Sequence, residues 1–392
     1  MEKVKVLCNN MSDLKKYTEN DDYDSYILIN FNLSNKDIIE LQNDINFFKK
    51  QYNICYSSEI PKEFNLSYLN CMSNNIITEI PNSLINLQEL HCSNTNITKI
   101  PNSLINLQSL DCSYSNITEI PKELINLRSL NCIGTRISKI HNSLINLQEL
   151  YCNFTNIAEI PKELINLSYL KCIGTRITEI PKELINLRIL NCSGTNITIP
   201  KELVNLQELY CAVITITEIP KEFINLQSLD CSYSNITEIP KELINLRILK
   251  CSDTQIIRIP KELDNLHLLD CTKTQIKEIP KELIKLQKLN CSQTQIKEIP
   301  KELIKLQELI CTGTQVTYIP KELVNLHSLY CNATKISELP YNLDQLENIY
   351  SDFITLEEHK SNVLRYKTEI KDIIKRNNDL NDDVSNLLCS YI

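Results

Sequence analysis

Residues 84–101 read Leu-Ile-Asn-Leu-Gln-Glu-Leu-His-Cys-Ser-Asn-Thr-Asn-Ile-Thr-Lys-Ile-Pro, and close variants of this stretch return some fourteen times along the chain. Leu90 and Cys92 alternate with polar neighbours, the period of two expected of a half-buried strand. Ile97 and Ile100 follow at spacings that neither a strand nor a helix sustains, so a bend is predicted there. Pro101 fixes φ and suits the first position of a short helical or 3₁₀ turn, after which Leu104 and Leu107 return to the core. The unit is a strand, a bend, a short outer segment and a return. No such unit can bury its own apolar set, so neighbours must stack.

All fourteen prolines, from Pro61 to Pro340, belong to this lattice. They stand 20 residues apart, except for one 19-residue unit ending at Pro200 and one site where His141 replaces proline. Within a unit, Leu87, Leu90, Cys92, Thr95 and Ile97 spell L-x-x-L-x-C-x-x-T-x-I, which resembles the leucine-rich-repeat signature. The resemblance runs from about Cys55 to Leu356. It implies an α/β-type repeat solenoid, a horseshoe with one parallel β-sheet on its concave face. The convex segments would be short 3₁₀, helical or irregular pieces, and the period about 20 residues.

Solenoid ends need covering. Residues 1–54 are therefore expected to form an N-terminal cap, 55–356 the repeats (about 14 units) and 357–392 a helical C-terminal cap. Tyr26–Phe31 could form a strand, and Ser34 could cap a helix carrying Ile38, Ile39, Leu41, Ile45 and Phe48. Val363, Tyr366, Ile370, Ile373 and Ile374 have helical spacing, with an acidic stretch and Leu387–Leu388 beyond them. Leu104–Leu127 recurs almost verbatim as Phe223–Leu246, and the chain is rich in Asn, Ile, Lys and Tyr. In this it resembles the leucine-rich-repeat proteins of amoeba-infecting giant viruses of the mimivirus type, a bias that amoebal and protozoan proteins share.

Two features depart from the family pattern. Cysteine replaces the second strand leucine in every repeat, narrowing the core, and Thr or Ser replaces the usual Asn at Thr95, Ser115, Thr135, Thr155 and onward. A hydroxyl supplies one donor where an amide supplies two, so some turn carbonyls are expected to need water or another partner. Ile214 supplies none. The only glycines, Gly134, Gly174, Gly194 and Gly313, each lie two residues after a repeat cysteine. An obligate positive φ would explain them, but the β-branched Val213 in the same column argues against it. The glycines are expected instead to open shallow dents on the exposed face.

A formal net charge of −8 argues against a duplex nucleic-acid binder, which needs surplus Lys and Arg. It argues equally against a polybasic membrane patch. No run approaches the length of a membrane span, and the first residues, Met-Glu-Lys-Val-Lys-Val-Leu-Cys, lack the apolar core of a secretory leader. Fourteen of the seventeen cysteines recur once per repeat, leaving Cys8, Cys55 and Cys389 off the lattice. A cysteine in every unit reads as a small buried apolar side chain, which calls for a reducing, cytoplasmic setting. The five histidines, His91, His141, His267, His327 and His359, show no metal-ligand spacing. With four glycines, all in the repeats, no phosphate-cradling loop is expected. The reading is that the protein is not an enzyme and uses no cofactor, metal or small-molecule substrate.

Variation concentrates just before the cysteine and two and four residues after it, on what the resemblance implies is the concave, ligand-binding face. Aromatic and arginine side chains dominate interface energetics. Arg136, Tyr151, Phe154, Lys171, Arg176, Tyr210 and Tyr233 form the candidate partner-binding cluster, although tyrosines also simply suit strands. The Lys–Glu pairs of the recurrent Pro-Lys-Glu-Leu read as a solvated edge. The expected function is a protein-binding scaffold or adaptor. The alternatives are a ubiquitin-ligase substrate receptor with a divergent N-terminal recruiting module, or a structural, self-associating protein.

Overall fold

The computed structural model describes residues 66–376 together with the strands 5–8, 26–29 and 51–54. The chain divides into two compact units, residues 1–206 and 207–392. The predicted helix behind Ser34, and Leu387–Leu388, lie outside the described residues.

In the first unit, β1 (Lys5–Cys8), β2 (Tyr26–Ile29) and β3 (Gln51–Ile54) pair in parallel, each with the next. β3 then pairs with β4 (Tyr68–Asn70), so the parallel ladder begins well before residue 55. It continues through β5 (Glu89–His91), β6 (Ser109–Asp111), β7 (Ser129–Asn131), β8 (Glu149–Tyr151), β9 (Tyr169–Lys171) and β10 (Ile189–Asn191). The second unit repeats the arrangement from β11 (Glu208–Tyr210), β12 (Ser228–Asp230) and β13 (Ile248–Lys250) to β14 (Leu268–Asp270). It ends with β15 (Lys288–Asn290), β16 (Glu308–Ile310), β17 (Ser328–Tyr330) and β18 (Asn348–Tyr350). Register is held residue for residue: Leu90 faces Leu110, and Leu229 faces Leu249.

From β4 to β17 each strand is three residues long with its central leucine buried, and its neighbours are turned outward except for buried Ser228 in β12. The cysteine that follows points inward beside that leucine, and the bend isoleucines and return leucines complete a core in which Leu144, Leu147, Leu150, Cys152 and Ile157 are fully buried. All fourteen described cysteines are free and buried. Burial pushes the thiols up, to about 12 at Cys132, Cys172 and Cys231.

Of the alternatives for the outer segment, the irregular one holds. Leu104 N–H donates to the Pro101 carbonyl at 3.4 Å and Leu107 N–H to the Leu104 carbonyl at 3.0 Å, two successive turns in place of a helix. An unanticipated ladder ties these turns together. From Asn106 to Asn186 the Asn of Leu-Ile-Asn-Leu donates from Nδ2 to the isoleucine carbonyl of the preceding coil, as Asn126 does to Ile105 and Asn146 to Ile125, both at 2.9 Å. The row resumes in the second unit at Asn245 and Asn265.

The glycine column requires a correction. Every described residue two places after a repeat cysteine has positive φ, including Tyr114 (54°), Phe154 (57°) and Val213 (58°) as well as Gly134 (68°) and Gly174 (64°). The cause is the ladder itself. Past the strand, the N–H of this residue still donates to the next coil, Phe154 to the Ile173 carbonyl at 2.8 Å and Val213 to that of Ser232 at 2.9 Å. Turning the chain inward while keeping that bond demands the left-handed well, which costs a non-glycine residue roughly 1–2 kcal/mol.

The hydroxyl column behaves more simply than expected. Thr155 Oγ1 donates to the Cys152 carbonyl of its own coil at 2.7 Å, and Thr254 to that of Cys251 at 2.7 Å, so the side chain closes the bend locally. Ile214 fills the same place with a buried side chain that makes no such bond.

The second unit ends on α1 (Leu356–Arg376). Thr355 and Glu358 form a reciprocal capping box: Thr355 N–H reaches Glu358 Oε2 at 3.0 Å and Glu358 N–H reaches Thr355 Oγ1 at 3.2 Å. The inner face carries buried His359, Val363 and Ile370. His359 Nε2 bonds the Leu343 carbonyl at 3.0 Å, Tyr366 stacks on Tyr341 at 4.8 Å, and Lys367 pairs with Asp344 at 2.9 Å. No helix among the described residues is long and apolar enough to cross a membrane.

Candidate functional site

The last strand position, just before the cysteine, serves two different ends. Where it is Asp or Asn, its side-chain oxygen accepts from the backbone two residues on, as Asp111 does from Ser113 (3.0 Å), Asp270 from Thr272 (3.1 Å) and Asn290 from Ser292 (3.2 Å). This is an Asx turn that steadies the bend. Tyr151 and Lys171, on adjacent coils of the first unit, forgo it. Above Lys171 the duty passes to Asn153 of the coil before, whose Oδ1 accepts from Ile173 N–H at 2.9 Å.

What stands there instead is a cluster. The Tyr151 and Tyr169 rings lie 4.9 Å apart across β8 and β9, and Lys171 Nζ is 5.9 Å from the first centroid and 5.4 Å from the second. A cation over two rings is held by their quadrupoles. Tyr151 is pushed above the ordinary phenol value by partial burial, then by the Glu149 carboxylate and by Tyr169. Among the described residues Lys171 makes no ion pair, nor do exposed Arg136 and Arg176.

The seven candidates do not occupy one kind of surface. Tyr151 and Lys171 lie on the outward strand face. Phe154, 62% exposed, lies at the strand-end rim in the left-handed column, and Arg136 and Arg176 lie two residues beyond that column. The Arg176 backbone is fixed by its N–H bond to the Ile157 carbonyl at 2.9 Å. Tyr210 and Tyr233 belong to the second unit. There Tyr210 Oη donates to Glu208 Oε2 at 2.8 Å, and Tyr233 is exposed in the rim column.

Sequence reading passes over two aromatic residues, Tyr169 and Tyr350, and leaves a third, Tyr114 of the variable column, outside the candidate cluster. Tyr169 sits two residues before Lys171, and strict period-two alternation on β9 would have put both on one face. Tyr350 stacks on Tyr330 at 4.5 Å and 4° between β18 and β17, in a coil that sequence reading passes over because Ser351 stands where the cysteine would. Tyr114 covers Gly134 so closely that a Cβ there would meet its Cδ1 at 2.7 Å. Among the described residues, no three His, Cys, Asp or Glu side chains are grouped to hold a metal ion.

Two family descriptions match the sequence, Leucine Rich repeats (2 copies) over residues 85–125 and Leucine Rich Repeat over residues 225–246. Solved structures agree over most of the chain. YopM, a leucine-rich effector protein from Yersinia pestis, is 18% identical with a TM-score of 0.63, covering 76% of this chain and 85% of its own. The functional domain of InlJ from Listeria monocytogenes, which includes a cysteine ladder, is 25% identical with a TM-score of 0.58, covering 67% of each. The Arabidopsis receptor kinase HAESA, solved with the peptide hormone IDA and the co-receptor SERK1, is 20% identical with a TM-score of 0.59, covering 77% and 66%. No curated protein matches the sequence. The chain carries leucine-rich repeats and folds as a leucine-rich-repeat solenoid of roughly 20-residue coils.

Proposed function

We propose that this chain is a protein-binding scaffold whose first unit receives a partner on the outward face of β8 and β9 and on the adjoining strand-end rim. Binding rather than catalysis is the role of the surface. The observation that carries the reading is the cluster at Tyr151, Tyr169 and Lys171: two adjacent coils present a pair of tilted rings with the lysine ammonium near both and, among the described residues, no carboxylate paired to it. Arg136, Phe154 and Arg176 extend that surface along the rim, and Tyr210 and Tyr233 offer a further contact patch on the second unit. The peptide-hormone complex of HAESA is a precedent for this fold receiving a protein partner. The many buried free thiols favour a reducing compartment, a cell's cytoplasm, or the host's if the compositional resemblance to giant-virus proteins reflects descent. Residues 1–54 and 357–392 act as the two caps, the second through the apolar face of α1.

The test is a quantitative pull-down from native lysate with intact protein and with a Tyr151→Ala, Tyr169→Ala, Lys171→Glu variant of unchanged circular dichroism. A partner retained by the first and depleted at least tenfold by the second supports the reading. Equal retention overturns it. A second reading, self-association, is favoured by a row of isoleucines on the outer turns. Ile85, Ile105, Ile125, Ile145, Ile165 and Ile185 are each about half exposed. If that row joins copies, Ile125→Lys with Ile145→Lys will lower the sedimentation coefficient at micromolar protein. A concentration-independent monomer in both proteins removes this reading.

A further inference from the structure

Two of the four glycines in the chain lie directly beneath an aromatic ring. A Cβ on Gly134 would stand 2.7 Å from Tyr114 Cδ1 and 2.8 Å from Cε1, and one on Gly174 would stand 2.9 Å from Phe154 Cδ1 and 3.1 Å from Cε1. Each ring leans along the stack onto the glycine of the next coil, yet Tyr114 is 64% and Phe154 62% exposed. Without a side chain beneath it, each ring rests on backbone and turns its remaining surface to solvent. In both coils the glycine opens the same sequence, Gly134-Thr135-Arg136 and Gly174-Thr175-Arg176, preceded by Cys-Ile. The arginines are exposed and make no ion pair among the described residues. The corresponding rim of the second unit is different: Lys273 and Asp253 answer each other at 3.9 Å, and no glycine lies one coil beyond Tyr233.

The first unit thus bears the same aromatic–glycine–arginine group twice, two coils apart. At a strand spacing of ~4.8 Å the two groups repeat at about 9.6 Å. A ligand that uses both must present like chemistry at that interval on one side. An extended strand fails, because its side chains return to one face every two residues, about 6.7 Å. An α-helix returns after seven residues, about 10.5 Å, and overshoots. A polyproline II helix returns every three residues, about 9.3 Å, and matches. Its proline rings stack on exposed aromatic side chains. The exposed arginine two residues beyond each glycine calls for a carboxylate, which its guanidinium can grip through two parallel hydrogen bonds.

We propose that the rim of Tyr114, Gly134, Arg136, Phe154, Gly174 and Arg176 binds an acidic polyproline II segment, one proline-and-carboxylate triplet at each aromatic–arginine group. The inference rests on the reading that the first unit receives a protein partner, and it names the chemistry of the segment that would lie on the rim.

The test uses the full chain and a fluorescein-labelled (Pro-Pro-Glu)₄ peptide, followed by anisotropy. Saturable binding is expected, weakened at least tenfold by each of Tyr114→Ala, Arg136→Gln, Phe154→Ala and Arg176→Gln. Tyr318→Ala, at an exposed tyrosine outside every proposed contact, should leave it unchanged, and circular dichroism should be unaltered throughout. (Pro-Pro-Lys)₄, which reverses the charge, and (Pro-Glu)₆, which breaks the three-residue period, should bind at least tenfold more weakly. No saturable binding, equal binding of either control, or preference for a helical acidic peptide or an acidic oligosaccharide overturns the proposal. If a cellular partner still depends on Tyr151 and Lys171 while the peptide does not bind, the scaffold reading survives and this inference falls.

Discussion

Val213 shows at the scale of one residue what the fold demands of every coil. Its φ of 58° is the conformation that glycine adopts freely and that a β-branched residue resists, and it is held there by the Val213 N–H bond to Ser232. Replacing it with glycine should relieve about 1 kcal/mol of strain and raise the melting temperature. A lower melting temperature would show that the backbone there is not strained. The opposite change, Gly134→Ala, should destabilise, because the new Cβ meets the Tyr114 ring at 2.7 Å as well as the positive φ. A thermal melt checks both. The confinement of all four glycines to one column did signal this φ. The β-branched Val213 in the same column speaks against it, because sequence alone does not reveal the inter-coil bond that compels the conformation.

The thiols make a second residue-scale prediction. Their folded values lie above the ordinary 9.0, at about 12 for Cys132. The folded state therefore keeps a proton that the unfolded chain releases. The stability they contribute is complete below pH 9 and is lost as pH rises towards 12. At pH 10 each such thiol costs about 1 kcal/mol. Melting temperature should accordingly fall steeply between pH 9 and 11. At pH 7.5 the fourteen repeat thiols should react with a thiol reagent only on unfolding, and rapid modification of most of them without loss of structure would contradict the burial account.

At the scale of elements, the coil was legible because its apolar residues obey a period that only a strand followed by turns can satisfy. The lattice leucines and cysteines went inside with nearly all the bend isoleucines, the exceptions being Ile199 and Ile216 around the 19-residue unit and its irregular neighbour. The asparagine row was less visible. A constant Asn in Leu-Ile-Asn-Leu reads as surface polarity until the Nδ2–carbonyl bond between coils is seen. Lys285 and Lys305 interrupt that row in the second unit, where Asn245, Asn265 and Asn325 hold the same place. Lys305→Asn should rebuild a bond to the Ile284 carbonyl and stabilise by about 0.5–1 kcal/mol, whereas Asn146→Ala should cost a similar amount. Denaturant titration decides, and a neutral result for both would show that the row is incidental. The capping box of α1 is testable in the same way, with Thr355→Ala expected to cost about 1 kcal/mol.

For the whole molecule, repetition made the architecture plain and the function obscure, for the same physical reason. Twenty-residue coils reveal their core through columns that do not vary. A binding surface lies in the columns that do, and there structural and functional substitutions look alike. Asp111 and Tyr151 occupy equivalent positions, yet one closes its own turn and the other faces outward beside Tyr169. Only the hydrogen bonds separate them. The account's central claim is that the outward face of β8 and β9 receives a protein. The most direct test places a photo-crosslinking phenylalanine analogue at Tyr169 and, in a separate protein, at Ile105 on the outer turns, with irradiation in living cells. The account predicts a discrete crosslinked partner from position 169 that disappears when Lys171→Glu is added, and none from position 105. A partner captured from position 105 alone, or one captured from position 169 regardless of Lys171, would contradict it.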